Sequence, residues 1–130
     1  MPGRDPTDHD YQMLLRFRTD LRRFHAWSEE QARAEGLTPA QHQLLLAIRG
    51  HAGAEAPTVG DVADALLLRH HSASGLVDRA VQAGYVTRAR DPVDHRTVRL
   101  SITRVGATKL ARLSRRHLQE LQRLRRGIFA

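Results

Sequence analysis

The chain has 130 residues, 41% of them apolar, which is enough for one modest hydrophobic core. It contains no cysteine, so disulfides, thiolate metal sites and thiol redox sensing are excluded. The net charge of +7 is unevenly spread, −3 over residues 1–64 and +10 over residues 65–130, which points the C-terminal half towards a polyanion.

The opening residues, 1–10, hold no apolar run and do not read as a signal peptide. Apolar stretches such as Leu44 to Ile48 are too short to span a bilayer, so the expectation is a soluble cytoplasmic protein without a membrane partner. The spacing of Leu14, Phe17, Leu21, Phe24 and Ser28 predicts a first helix from Asp8 or Asp10 to Arg33, stopped by Glu35-Gly36. Thr38-Pro39-Ala40-Gln41 opens a second helix with a capping box, and Leu44, Leu45 and Ile48 form its inner face before Gly50 and Gly53 end it. Thr58-Val59-Gly60-Asp61 is another capping box, starting a short third helix that turns Val59, Val62, Ala63 and Leu66 inward and ends near Leu67. Leu68-Arg69-His70 reads as a tight turn. A fourth helix, from His71 to Ala83, has Ala73, Leu76, Val77 and Ala80 inside and Gly84 as its terminator. Two short helices joined by about three residues match a helix-turn-helix.

Alternation from Tyr85 to Arg90 and from Arg96 to Ile102, around a turn at Asp91-Pro92-Val93-Asp94-His95, predicts a β-hairpin with Val98, Leu100 and Ile102 on one face. Thr103 then caps a long last helix, to about Arg126, whose apolar stripe is Leu110, Leu113, Leu118, Leu121, Leu124 and Ile128. A hairpin directly after such a helix pair defines a winged helix-turn-helix. The fold class is mainly α with a small β-hairpin wing, in a single domain over 1–130.

The order of three motifs resembles the MarR family of winged helix-turn-helix transcriptional regulators, over nearly the whole chain. Leu37-Thr38-Pro39-Ala40-Gln41 resembles the start of the family's second helix. Gly75-Leu76-Val77-Asp78-Arg79, followed by Ala83-Gly84-Tyr85-Val86, resembles its recognition helix and exit. Asp91 to Leu100, with Asp94, Arg96 and Leu100 in an Asp-x-Arg-x-x-x-Leu pattern, resembles its wing. The resemblance implies a sequence-specific DNA-binding regulator, a repressor that binds a palindromic operator as a homodimer and responds to small phenolic or other anionic ligands. It implies dimerisation helices at 8–35 and 104–128 and a DNA-binding lobe at 54–103. Two departures stand out. Gly75 takes a position where the family often has a long polar or basic residue, and the chain stops at Ala130 without the further C-terminal helix common in the family.

Arg96, at the wing tip, is the first candidate for a minor-groove contact, with Asp94 holding its side chain extended; the other reading is that both only stabilise the hairpin. Arg88, Arg90 and Arg99 on the wing strands are candidate phosphate contacts, though alternation sends some of them elsewhere. Arg69, His70, His71, Ser72 and Ser74 crowd the start of the recognition helix, where phosphate is favoured, while Ser72 also reads as a cap. Asp78 is expected to pair with an arginine, and Arg79 reads as structural, as that partner's neighbour or as a backbone contact. Phe24, Trp27 and His42 are candidate linings of an effector pocket, or else core or dimer residues. The acids Asp5, Asp8, Asp10, Asp20, Glu29, Glu30 and Glu35 set against the basic last helix suggest attraction across a dimer. The eight histidines include no metal-ligand spacing, and His70 and His71, being adjacent, diverge, so no metal and no cofactor are expected. No nucleophile–base pair or phosphate-cradling glycine loop is present, so the chain is not expected to be an enzyme. The alternative function is a winged-helix protein-interaction module without direct DNA readout.

Overall fold

The structure is a computed structural model that describes residues 3–129, with side chains through 127, so Ile128 of the expected last stripe lies outside the described side chains. Its elements in chain order are α1 (Asp8–Ala34), α2 (Pro39–Arg49), α3 (Val59–Leu66), α4 (His70–Gln82), β1 (Val86–Arg90), β2 (Val98–Ile102) and α5 (Arg104–Phe129).

Reciprocal capping boxes start the first three helices, at Thr7 and Asp10, Thr38 and Gln41, and Thr58 and Asp61. The last two are the ones expected from sequence. Before α1, by contrast, Asp10 does more than face the helix dipole: it accepts from the Thr7 backbone N–H at 2.9 Å. The Arg4 guanidinium holds the Asp10 carboxyl well below the usual carboxylate range.

The turn between α3 and α4 falls one residue earlier than expected, at Leu67 to Arg69. Leu67 takes the left-handed conformation, with φ 55° and ψ 42°. The N-cap of α4 is Arg69, which offers no side-chain cap, and Ser72 sits inside the first turn, so Ser72 is not the cap. At the other end of α4, Gly84 has φ +84°, which lets the Tyr85 N–H reach back to the Ala80 carbonyl at 3.0 Å.

The wing is an antiparallel pair in the register Val86↔Ile102, Arg88↔Leu100 and Arg90↔Val98. The second strand is shorter at the tip than its pattern predicts, starting at Val98 and not Arg96, because Asp94 draws the preceding chain into a side-chain-bonded turn, while the first loses only Tyr85, at its base. The connector before α3 joins the outer edge of the wing, where the Leu100 N–H donates to the Pro57 carbonyl at 2.8 Å. Thr103 caps α5 by accepting from the Gly106 N–H, and its hydroxyl donates to the Gly84 carbonyl at 2.6 Å. Gly106 makes this junction close: a β-carbon there would lie 2.5 Å from the Tyr85 carbonyl oxygen.

Leu44 and Leu45 of α2, Val62 of α3, Val77 of α4, Val86 and Leu100 of the wing and Leu113 of α5 are fully buried and make one core. Each such side chain contributes roughly 1.5–3 kcal/mol by leaving water. The inward residues expected on α4, namely Ala73, Leu76, Val77 and Ala80, are all buried. The stripe expected on α1 behaves differently. Ser28 and Ala32 are buried, but Leu14, Phe17 and Leu21 are exposed, as are Leu118 and Leu121 of α5. Among the described residues, no helix is long and apolar enough to cross a membrane.

Candidate nucleic-acid interface and effector crevice

The hairpin tip is built around two aspartates. Asp91 is buried and accepts from the backbone N–H groups of Val93 at 2.8 Å and Asp94 at 3.0 Å. These two donors, Asp94 first, and then Arg99 hold its carboxyl below the usual carboxylate range. Asp94 in turn accepts from the Arg96 backbone at 3.1 Å, from the Arg96 Nε at 3.5 Å and from the Thr97 hydroxyl at 3.2 Å. Arg96 itself is 94% exposed, so a braced turn holds a guanidinium out into solvent. This is the extended pose expected of the pair.

The other wing arginines separate by face. Arg88 lies opposite Leu100, on the inner face of the ribbon, and pairs with Asp78 of α4. Arg88 is therefore the arginine that Asp78 was expected to find, and the pair joins recognition helix to wing. The Arg90 guanidinium donates to the His95 carbonyl at 3.0 Å and stays exposed. Arg99, on the outer face, spends its donors inside the protein. It reaches Asp91 at 3.0 Å, the Ala56 carbonyl at 3.0 Å and Glu55 at 2.5 Å. Its side chain is 26% exposed, and it latches the wing to the connector before α3. That geometry counts against Arg99 as a phosphate contact.

At the start of α4, Arg69, His70, His71 and Ser72 are exposed and Ser74 is half-buried. Gly75 follows, and one turn later comes Arg79. A β-carbon at Gly75 would lie 3.4 Å from a guanidinium nitrogen of Arg79. Arg79 thus folds back one helical turn across the bare glycine, as helical side chains do, towards the N-terminal end of α4. The signal in the sequence was the i, i+4 pairing of a glycine with an arginine.

A second feature lies beside α2. An open crevice of about 830 Å³ runs between α1, α2, α5 and the turn before α4. Phe24 and His42 line it, together with His117, Leu66, Leu67 and Leu68. Trp27, expected with them, faces a neighbouring cleft of about 330 Å³ beside Asp20 and Arg123. The two spaces share an aromatic partition in which the ring of His117 lies 4.8 Å from that of Trp27 and 4.9 Å from that of His42. His117 Nδ1 donates to the Leu113 carbonyl at 2.7 Å, and Nε2 meets the Ser28 hydroxyl at 2.7 Å. His42 is buried, and its pKa is pushed down to about 4, first by that burial and then by His117. Among the described residues no cluster of acidic or histidine side chains could hold a metal ion.

The charges at the chain ends are largely matched within one copy. Glu35 takes Arg116 at 3.0 Å and Arg112 at 3.7 Å, and its carbonyl accepts from Lys109. Asp10 pairs with Arg4, Asp20 with Arg23, Glu29 with Arg33 and Glu120 with Arg123. The attraction expected across a dimer is thereby reduced to the groups left over.

The model of the MarR family matches residues 35–97, from the end of α1 to the wing tip. No curated protein matches the chain. Among solved structures, a MarR family transcription regulator is similar at 24% identity and a TM-score of 0.78, covering 92% of this chain and 78% of that one. A mutant of MepR from S. aureus bound to an oligodeoxyribonucleotide is 18% identical with a TM-score of 0.70, covering 92% and 83%. BpsR of Bordetella bronchiseptica, whose DNA binding is regulated by 6-hydroxynicotinic acid, is 23% identical with a TM-score of 0.66, covering 91% and 82%.

Proposed function

We propose that this chain, which the MarR family model matches over residues 35–97, is a DNA-binding transcription regulator and not an enzyme, and that it acts in the cytoplasm as a homodimeric repressor on a palindromic operator. The observation that carries this reading is Arg96, 94% exposed on a turn that Asp91 and Asp94 hold rigid. A cation held out on a braced hairpin suits a narrow minor groove, where the potential is most negative.

Residues 54–103 are the DNA-binding lobe in this reading. Arg69, His70, His71, Ser72 and Ser74 approach the major groove and its flanking phosphates. Arg79, lying over Gly75, supplies the long cationic side chain that Gly75 lacks. Arg90 positions the lobe against phosphate, while Arg88, tied to Asp78, joins Asp94 and Arg99 in shaping the wing. Residues 8–35 and 104–128 pair two copies through the exposed leucines and phenylalanine of α1 and the leucines of α5. A small molecule in the crevice leans on Leu66, Leu67 and Leu68, immediately before α4, and so shifts the recognition helix. The DNA held by the MepR mutant and the effector of BpsR support both halves of this reading.

Selection of bound sequences from random duplexes tests it. The expected result is an inverted repeat with half-sites about one helical turn apart, roughly 10–10.5 base pairs. Weak, salt-insensitive binding to every duplex overturns it in favour of a protein-binding winged helix.

A further inference from the structure

The chemistry of the crevice says what kind of molecule it takes, on the reading that this chain responds to an effector. At about 830 Å³ it has the size of a small-molecule site, typically about 300–1,000 Å³. Phe24, Leu46, Leu66, Leu76, Leu118 and Leu121 make its walls apolar. Among its described lining residues there is neither arginine nor lysine. This is no shortage of cations, for the chain has 21. On the adjoining stretch of α5, Arg112 and Arg116 pair with Glu35, and Arg115 is exposed and outside the lining. The charged carboxylate in the lining is Glu29, at the exposed rim and beside Arg33.

The buried polar side chains of the lining are Ser28 and His42, and of these Ser28 has a partner, while His25 and Gln43 are exposed and Ser114 is half-buried. The Leu113 carbonyl only accepts, so His117 carries a proton on Nδ1, and its Nε2 is taken up by the Ser28 hydroxyl. His42 differs. Its side chain is buried, and its Nδ1 has no hydrogen-bond partner among the described residues. A polar atom buried without a partner favours any occupant that supplies one. A carboxylate placed there gains no cation and loses its water, which disfavours it strongly.

We propose that the crevice takes an uncharged, largely apolar molecule whose single hydrogen-bonding group meets Nδ1 of His42, and that it rejects the carboxylate analogue of that molecule. Such selectivity departs from the anionic ligands that the resemblance to the family implies.

Calorimetry with three probes of one shape tests this at neutral pH: naphthol, naphthoate and naphthylmethylammonium. Naphthol is expected to bind saturably, and the two ions to bind about 100-fold more weakly or not at all. His42→Phe is expected to weaken naphthol by about tenfold. Gln43→Arg, which adds a cation to the exposed lining on α2, is expected to bring naphthoate binding up towards that of naphthol. The probe comparison on the unaltered chain requires no variant to fold. Naphthoate or the ammonium binding as tightly as naphthol, or no probe binding, overturns the proposal. Anisotropy of the selected duplex is read in parallel. Naphthol that binds while the duplex stays bound upholds the crevice chemistry and overturns the effector reading alone.

Discussion

Arg96 and Arg99 lie three residues apart on one hairpin, and the burial of their side chains separates their roles, with 94% of one exposed and 26% of the other. Arg96→Ala is expected to weaken operator binding by about 1–3 kcal/mol in a gel-shift titration, with the thermal unfolding midpoint unchanged. Arg79→Ala is expected to act on selectivity, flattening base preference at one position of each half-site in a repeated sequence selection, since an arginine over a bare glycine has the reach to grip a guanine edge. His42 governs an acid-sensitive term. Its folded pKa, about 4, lies below the ordinary value of 6.5, so the unfolded chain binds the proton more readily between those values. Stability is therefore full above 6.5 and is lost as pH falls towards 4, by on the order of 2 kcal/mol. Urea unfolding across that range is expected to show a shallower loss in His42→Phe.

At the scale of elements, the helix starts at Thr38 and Thr58 were legible because a capping box is a local pattern, complete within four residues. The start of α4 was misplaced by one residue because it has no side-chain cap to read. Alternation gave the hairpin and its inner face, yet it could not say where Arg99 goes, since two of its partners, Glu55 and Ala56, are more than forty residues earlier in the chain. The pairing of Asp78 was foreseeable as a charge preference, but the choice of Arg88 over the adjacent Arg79 depends on how α4 meets β1. Removing the latch tests its standing as an element-level tie. Arg99→Ala is expected to cost about 1–3 kcal/mol of stability and to speed amide exchange at Leu100, whose N–H is bonded to Pro57. DNA affinity is then expected to fall without a change in the slope against salt, because no phosphate contact is lost.

For the molecule as a whole, the exposed face of α1 is the feature that a single copy does not explain. Leu14, Phe17 and Leu21 form a helical stripe with nothing over it among the described residues, and Leu118 and Leu121 of α5 are exposed as well. The periodicity of that stripe was plain in the sequence, but periodicity marks a face for burial without saying whether the cover comes from the same chain. Arg115, Arg125 and Arg126, and Asp5, Asp8 and Glu30, have no ion-pair partner among the described residues, whereas most other end charges are matched in their own copy. The proposed dimer is accordingly expected to depend on its apolar seam and only weakly on salt. Sedimentation is expected to give a dimer at micromolar concentration in both low and moderate salt, a Leu21→Arg variant that is monomeric, and an unfolding midpoint that rises with protein concentration.

The latch has a mechanical side. Asp78 and Arg88 fasten the wing to α4, and Arg99 fastens it again to the chain ahead of α3, so the two elements proposed to reach towards DNA are clamped into one reading head. Such a head has no slack with which to follow a displaced target. One base pair inserted between half-sites swings one of them round the duplex axis by about 34–36°. The misfit is expected to fall on the helices proposed to join the copies, or on the torsional stiffness of the DNA itself.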